Sequence, residues 1–305
     1  MSDTSADLEQ FRRRLDEIDD RLQDLLIERV SVVGHVSALK RSNSGVDIHQ
    51  PAREAEILRR LVARSKDFPP ATLVRMWREM LAATVRLQGP FSIAVYMTPE
   101  AQGYWDIARD QYGSHTPIVG YRSTAQIIRA VTEGQATIGI LPIPEEEERD
   151  PWWRYMISAQ ENAPHVIARL PFGARGNVRP DTADALAIGR GPQVPTGRDR
   201  TLIATENAPD ISRGRMFSLL SRLDLQCSFM ASTQQADVAY TLIELDGFVP
   251  ISDTRLIQFK EQLGTALSRL LGFGGYALPL TPAELAAPQL GTAANLSGAA
   301  GYGRN

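Results

Sequence analysis

The chain has 305 residues, 43% of them hydrophobic, enough for two or three separately cored units. Its 33 basic and 36 acidic residues leave a formal net charge of −3, which argues against nucleic acid as the main partner, and its single cysteine, Cys227, excludes a disulfide framework or a cysteine-based metal cluster. The four histidines have no metal-ligand spacing, no run approaches a membrane span, and the polar, acidic start MSDTSADLEQ lacks the features of a signal peptide, so a soluble, cytoplasmic protein without metal or cofactor is expected.

Residues 8–40 read as one long helix. Leu8, Phe11, Leu15, Ile18, Leu22, Leu25, Val32, Val36 and Leu39 recur at spacings of three and four. Arg29 falls where that stripe demands an apolar residue, while Arg12 and Lys40 lie on its edge. An edge cation can snorkel to water, but a guanidinium inside the stripe is costly unless an anion meets it. Arg29 and Lys40 lie close to three whole turns apart, about 16 Å along one face, within reach of one small dianion. Arg12 is about 26 Å from Arg29 along the axis and cannot reach that ligand within one protomer. A helix this long also cannot bury its stripe within a monomer of short helices, which predicts a dimer.

A polar loop follows. Pro51 is suited to open a second helix with Ile57, Leu58, Leu61 and Val62 on its apolar face. Phe68-Pro69-Pro70 breaks the chain, and a third helix over 71–88 is expected to turn Leu73, Met76, Trp77, Met80, Leu81 and Leu87 inward before Gly89-Pro90 stops it. Thr84 and Gln88 stand one turn apart on this helix, and Arg78-Glu79 reads as an exposed helix face.

Taken together, residues 8–88 resemble the all-α, AroQ-type chorismate mutases, whose three helices intertwine with those of a second copy. The resemblance rests on Arg12 in FRRRLDEID, Arg29 in LLIER, Lys40, Arg53-Glu54 in PAREAEIL, and Thr84 with Gln88, in order and at the right separations. Gln50 departs from it, standing where the family usually has an acidic residue used largely through its backbone. The resemblance implies a site for chorismate and prephenate shared between protomers. Arg12 of one copy, with Arg29 and Arg53 of the other, would hold the two carboxylates. Lys40 and Gln88 would face the ether oxygen, Glu54 the ring hydroxyl, and Thr84 would support a carboxylate.

From Phe91 the pattern becomes strand, helix, strand, helix, strand through residues 92–97, 99–113, 116–121, 124–134 and 136–142, implying a parallel sheet. This stretch resembles the first lobe of prephenate dehydratase, with Pro99-Glu100 and Pro142-Ile143 at the matching strand ends. The catalytic residues do not carry over. Pro144-Glu145-Glu146, in the acidic run EEEERD, stands in place of Glu-Asn-Ser and reads as a solvated turn. In place of Thr-Arg-Phe the chain has Ala183, Asp184 and Ala185, with Thr182 one position out of register. The intervening stretch is also too short for a second lobe. Trp152-Trp153 reads as packing, with a pocket wall as the alternative.

After a Gly-, Pro- and Arg-rich linker, strands over 201–205, 225–232, 236–248 and 274–280 and helices over 211–224 and 252–271 give a βαββαβ order. It resembles the ACT domain that follows prephenate dehydratase. Gly214-Arg215-Met216 is what remains of that domain's Gly-Ala-Leu motif, and its Glu-Ser-Arg-Pro motif is absent, so sheet-to-sheet pairing is expected rather than phenylalanine binding.

The expected organisation is multidomain: an all-α mutase region (1–90), a degenerate α/β dehydratase-like region (91–198), an α+β ACT-like region (199–281) and a disordered tail (282–305). The expected activity is chorismate mutase, in a homodimer or larger assembly that shares Arg12. A bifunctional mutase and dehydratase and a non-catalytic aromatic-acid sensor or scaffold are the alternatives.

Overall fold

The computed structural model describes residues 3–42, 48–157, 163–177, 179 and 184–287, and the side chains of all of these except 3, 4, 6 and 40–42. Thr182, Ala183 and the tail from 288 lie outside the described residues.

Helices come first: α1 (Asp3–Ser42), α2 (Pro51–Val62) and α3 (Pro70–Gln88). Proline opens α2 and α3, where its missing N–H is not needed and its fixed φ suits a first turn. Leu58 and Val62 of α2 meet Val74 of α3, Phe172 and Leu280 in one small core, so the helical region is fastened to the rest of the chain.

The buried face of α3 differs from the expected one. Val74, Arg78, Leu81, Ala82 and Val85 are buried, whereas Met76 and Leu87 are 53% and 67% exposed. Both faces carry apolar residues, and the following region covers one of them. Arg78 is therefore not on an exposed face as the sequence suggested: it is 4% exposed.

The strands β1 (Ile93–Tyr96), β2 (Ile118–Tyr121) and β3 (Ile138–Pro142) alternate with α4 (Gly103–Tyr112) and α5 (Thr124–Thr132), and β1 pairs in parallel with both others. This is the expected crossover pattern. Trp152 and Trp153 are 3% and 1% exposed in the core, and the Trp152 indole N–H donates to the Pro142 carbonyl at 3.0 Å, so the pair is packing. Glu145, Glu146 and Glu147 are exposed, as a solvated turn should be.

Next come β4 (His165–Leu170), β5 (Ala185–Gly189), β6 (Asp199–Asn207), α6 (Arg213–Arg222), β7 (Cys227–Gln235), β8 (Val238–Asp246), α7 (Thr254–Leu263) and β9 (Leu267–Ala277). The last six form the expected βαββαβ unit, with α6 and α7 burying Met216, Leu219, Leu220, Leu256 and Phe259 on one sheet face. Its last helix is shorter than expected. The chain leaves α7 at Gly264, where φ is 58°, and residues 267–271 belong to β9, which pairs with β6 along its length. Leu267, Leu270 and Leu271 read as helical by spacing, yet the left-handed glycine ends the helix before them.

Among the described residues the nine strands join in one sheet, ordered β2-β1-β3-β5-β4-β9-β6-β8-β7. The seam is the parallel pairing of β4 with β9 at Val166 and Gly274. Gly274 has φ 101°, and a Cβ there would overlap the backbone of Val166. Gly274→Ala should therefore lower stability by about 2–4 kcal/mol, combining a left-handed backbone with a backbone clash. Urea unfolding would measure it, and a loss below about 1 kcal/mol would mean the seam adjusts freely.

Candidate active site

On α1 two faces have different fates. Arg29, Val33 and Ser37, spaced one turn apart, form the line of reduced exposure, and Ser37 is 6% exposed. α1 contacts α3, the helix that carries Thr84 and Gln88. The apolar stripe faces solvent instead: Leu8, Phe11, Leu15, Ile18, Leu22, Leu25, Val32, Val36 and Leu39 are each exposed, from 39% at Ile18 to 69% at Leu39. An uncovered apolar face running nearly the length of a 40-residue helix is far larger than scattered surface leucines require.

Arg29 is the cation that the sequence put inside that pattern. Its Nη1 is shut off from solvent and has no hydrogen-bond partner among the described residues. Burial alone pushes its pKa below the usual guanidinium range. A half-shielded cation of this kind favours any anion that can reach it.

The other expected site residues are distributed as follows. Arg12 is exposed and pairs with Glu9 at 3.2 Å, far along α1. Lys40 lies in the last turn of α1, and its side chain is outside the described residues. Arg53 is exposed and pairs with Glu56 at 2.9 Å. Thr84 is buried and its hydroxyl donates to the Leu81 carbonyl at 2.9 Å, while the Gln88 amide donates to the Thr84 carbonyl at 3.1 Å. Thr84 and Gln88 are thus in contact on one side of α3. Arg12 and Arg53 are not drawn toward them within the single chain.

Glu54 faces inward. One carboxylate oxygen accepts from Arg78 Nη1 at 2.7 Å, and the other lies 3.6 Å from His49 Nε2. Arg78 also stacks on Phe172, with its guanidinium carbon 5.1 Å from the ring centroid. Gln111 of α4, with its amide oxygen turned to Arg78, accepts from both terminal nitrogens at 3.0 Å. Burial lowers the Arg78 pKa and Glu54 opposes that shift, while the buried Tyr112 phenol is raised by desolvation and then by Glu54. Sequence reasoning missed this pair, although a signal existed. Arg78 sits in the line Val74, Arg78, Leu81, Val85, a cation in an apolar stripe just as Arg29 is.

Elsewhere lies Asp184, at the position where the sequence resemblance would have placed a dehydratase's arginine. It is held by Arg169 at 3.1 Å and by Arg175. Among the described residues no cluster of His, Cys, Asp and Glu could hold a metal, and no helix is long and apolar enough to cross a membrane.

Residues 11–89 match the family model for chorismate mutase type II. A bifunctional chorismate mutase/prephenate dehydratase from Aquifex aeolicus is 26% identical over 142 residues, covering 45% of this chain and 39% of that protein. One from Pseudomonas aeruginosa is 24% identical over 146 residues, covering 46% and 40%. The chain thus matches less than half the length of these relatives. A solved prephenate dehydratase from Streptococcus mutans superposes with a TM-score of 0.43 at 13% identity, covering 62% of this chain and 98% of that one. GqqA, described as a novel type of quorum quenching acylase, gives 0.44 at 17% identity, covering 62% and 95%. Superpositions this loose carry no weight for activity. By these matches the chain's N-terminal part, residues 11–89, is similar to chorismate mutase type II and stands ahead of a sheet-bearing region, in a chain that resembles the bifunctional mutase/dehydratases over less than half their length.

Proposed function

We propose that the protein is a homodimeric chorismate mutase that converts chorismate to prephenate and has lost dehydratase activity. The observation that carries the reading is Arg29, a shielded cation without a hydrogen-bond partner among the described residues, beside a long uncovered apolar stripe. A second copy laid along α1 would cover the stripe and bring its own Arg12 toward Arg29.

The reaction is an intramolecular Claisen rearrangement: one carbon–oxygen bond breaks as a carbon–carbon bond forms, and no proton need move. Catalysis then comes from holding the dicarboxylate in its chair-like, diaxial conformer and from donors aimed at the ether oxygen as it gains charge. Arg12 from the partner, Arg29 and Arg53 suit the carboxylates because a guanidinium can donate two parallel hydrogen bonds to each. Lys40 and the Gln88 amide would serve the ether oxygen, Glu54 the ring hydroxyl, and Thr84 carboxylate placement. Forming such a site asks Arg53 to leave Glu56, an exposed pair that holds it weakly.

Asp184 supports the loss of dehydration. An aspartate clamped by Arg169 and Arg175 makes a structural ion cluster and leaves no arginine at the position where a dehydratase's would meet its dicarboxylate substrate. Sheet pairing of the βαββαβ unit with another copy would raise the dimer to a larger assembly.

The test is to follow chorismate loss by absorbance with purified protein, assaying separately for prephenate and phenylpyruvate, with Lys40→Ala alongside. Prephenate should accumulate without phenylpyruvate and the variant should lose most of the rate. No turnover by the wild type would leave the helices as a scaffold. Phenylpyruvate formation would make the chain bifunctional.

A further inference from the structure

A cavity of about 440 Å³ opens where three parts of the chain meet: the start of α2, the segment after β5, and the ends of β4 and β9. Its apolar walls are Ile167, Pro192, Val194 and the ring of Tyr276. The Tyr276 hydroxyl is committed to Glu244 at 2.7 Å, so only its ring is offered to the cavity.

The polar groups at the rim carry a net positive charge. Arg190 borders the cavity and, among the described residues, donates from Nη2 alone, to the Thr132 carbonyl at 2.9 Å, which fixes the guanidinium while leaving further donors. Arg53 also borders the cavity, as does its partner Glu56, which holds it through an exposed one-turn pair of the kind an incoming anion displaces at little cost. The first turn of α2 lies on the same rim, so the positive end of its dipole adds to the two arginines. The volume suits a ligand of one ring and a short side chain.

We propose that this cavity binds a small organic carboxylate with a flat apolar body, its ring against Ile167, Val194 and Tyr276 and its carboxylate between Arg190 and Arg53. The cavity shares Arg53 with the proposed mutase constellation, but Arg29, Thr84 and Gln88 do not border it. The inference does not require mutase activity, because Arg190, Ile167, Val194 and Tyr276 lie outside that constellation.

The probe is phenylacetate, titrated calorimetrically into the full-length protein, with uncharged phenylacetamide as its match. Phenylacetate should bind with a dissociation constant of about 0.1–1 mM and phenylacetamide at least about tenfold more weakly. Arg190→Ala should weaken phenylacetate about tenfold, and Val194→Trp, which fills the cavity from an exposed position, should abolish binding. Arg29→Ala should leave it unchanged, which separates this cavity from any carboxylate site on α1. Equal binding of the two probes, no binding of either, binding that survives both cavity variants, or binding lost in Arg29→Ala would each overturn the proposal.

Discussion

Replacing Arg29 by alanine should lower kcat/KM for chorismate by about 10²–10³ while shifting stability by less than about 1 kcal/mol. The two expectations have a common cause. A guanidinium whose Nη1 is shielded from water without a hydrogen-bond partner carries a desolvation cost in the folded chain, so deleting it removes that cost along with some aliphatic packing. The same isolation preorganises Nη1, which meets a carboxylate without first breaking a bond to any described residue. Arg29→Lys should recover part of the rate, since lysine restores the charge without the two-pronged geometry. Chorismate turnover and a urea melt on the same preparations read both effects. A stability loss above about 2 kcal/mol, with activity falling only in step with the folded fraction, would show that Arg29 is a packing residue.

What could be read from the sequence divides along periodicity. The long stripe of α1, the proline starts of α2 and α3, and the alternation of β1 to β3 with α4 and α5 all follow from repeats of 3.6 or 2 that one element satisfies by itself. Errors arose where a residue's environment is set by a distant segment. β4, HVIARL, was not anticipated because its burial comes from pairing with β5 and β9 rather than from a clean alternation of its own. α3 is apolar on both sides, so the pattern could not say which side the following region would cover. Arg78 shows the same limit from the polar side: its burial depends on Glu54, Gln111 and Phe172, 24 or more residues away. Arg29 stands out in the sequence because its neighbours on one helix face are apolar, whereas its shielding follows the line it shares with Val33 and Ser37. The single chain leaves Arg12 and Arg53 apart from Thr84 and Gln88, and the register of α1 accounts for Arg12, which stands about 26 Å along the axis from Arg29.

Arg78→Met should cost about 3–5 kcal/mol, the largest stability effect expected of any single change in the helical region. Glu54 would keep a buried charge, with His49 3.6 Å from one carboxylate oxygen and nothing in place of the 2.7 Å hydrogen bond on the other. Methionine keeps much of the arginine stem's packing against Phe172, so the loss reports the broken pair more than a cavity. The double variant Glu54→Leu with Arg78→Met should then recover most of the loss, because neither charge remains to be desolvated. If the double variant were instead as unstable as the two single losses added together, shape and not charge would hold this junction. Activity separates the two roles of Glu54. Arg78→Met should spare turnover per folded molecule if Glu54 reaches the substrate hydroxyl on its own, and should raise KM if Arg78 aims that carboxylate. The double variant should be slow under either outcome, because the proposed acceptor is gone. A stable but slow double variant would show that the seam between α2, α3 and α4 can be built without charge, and that Glu54 is required there by the reaction.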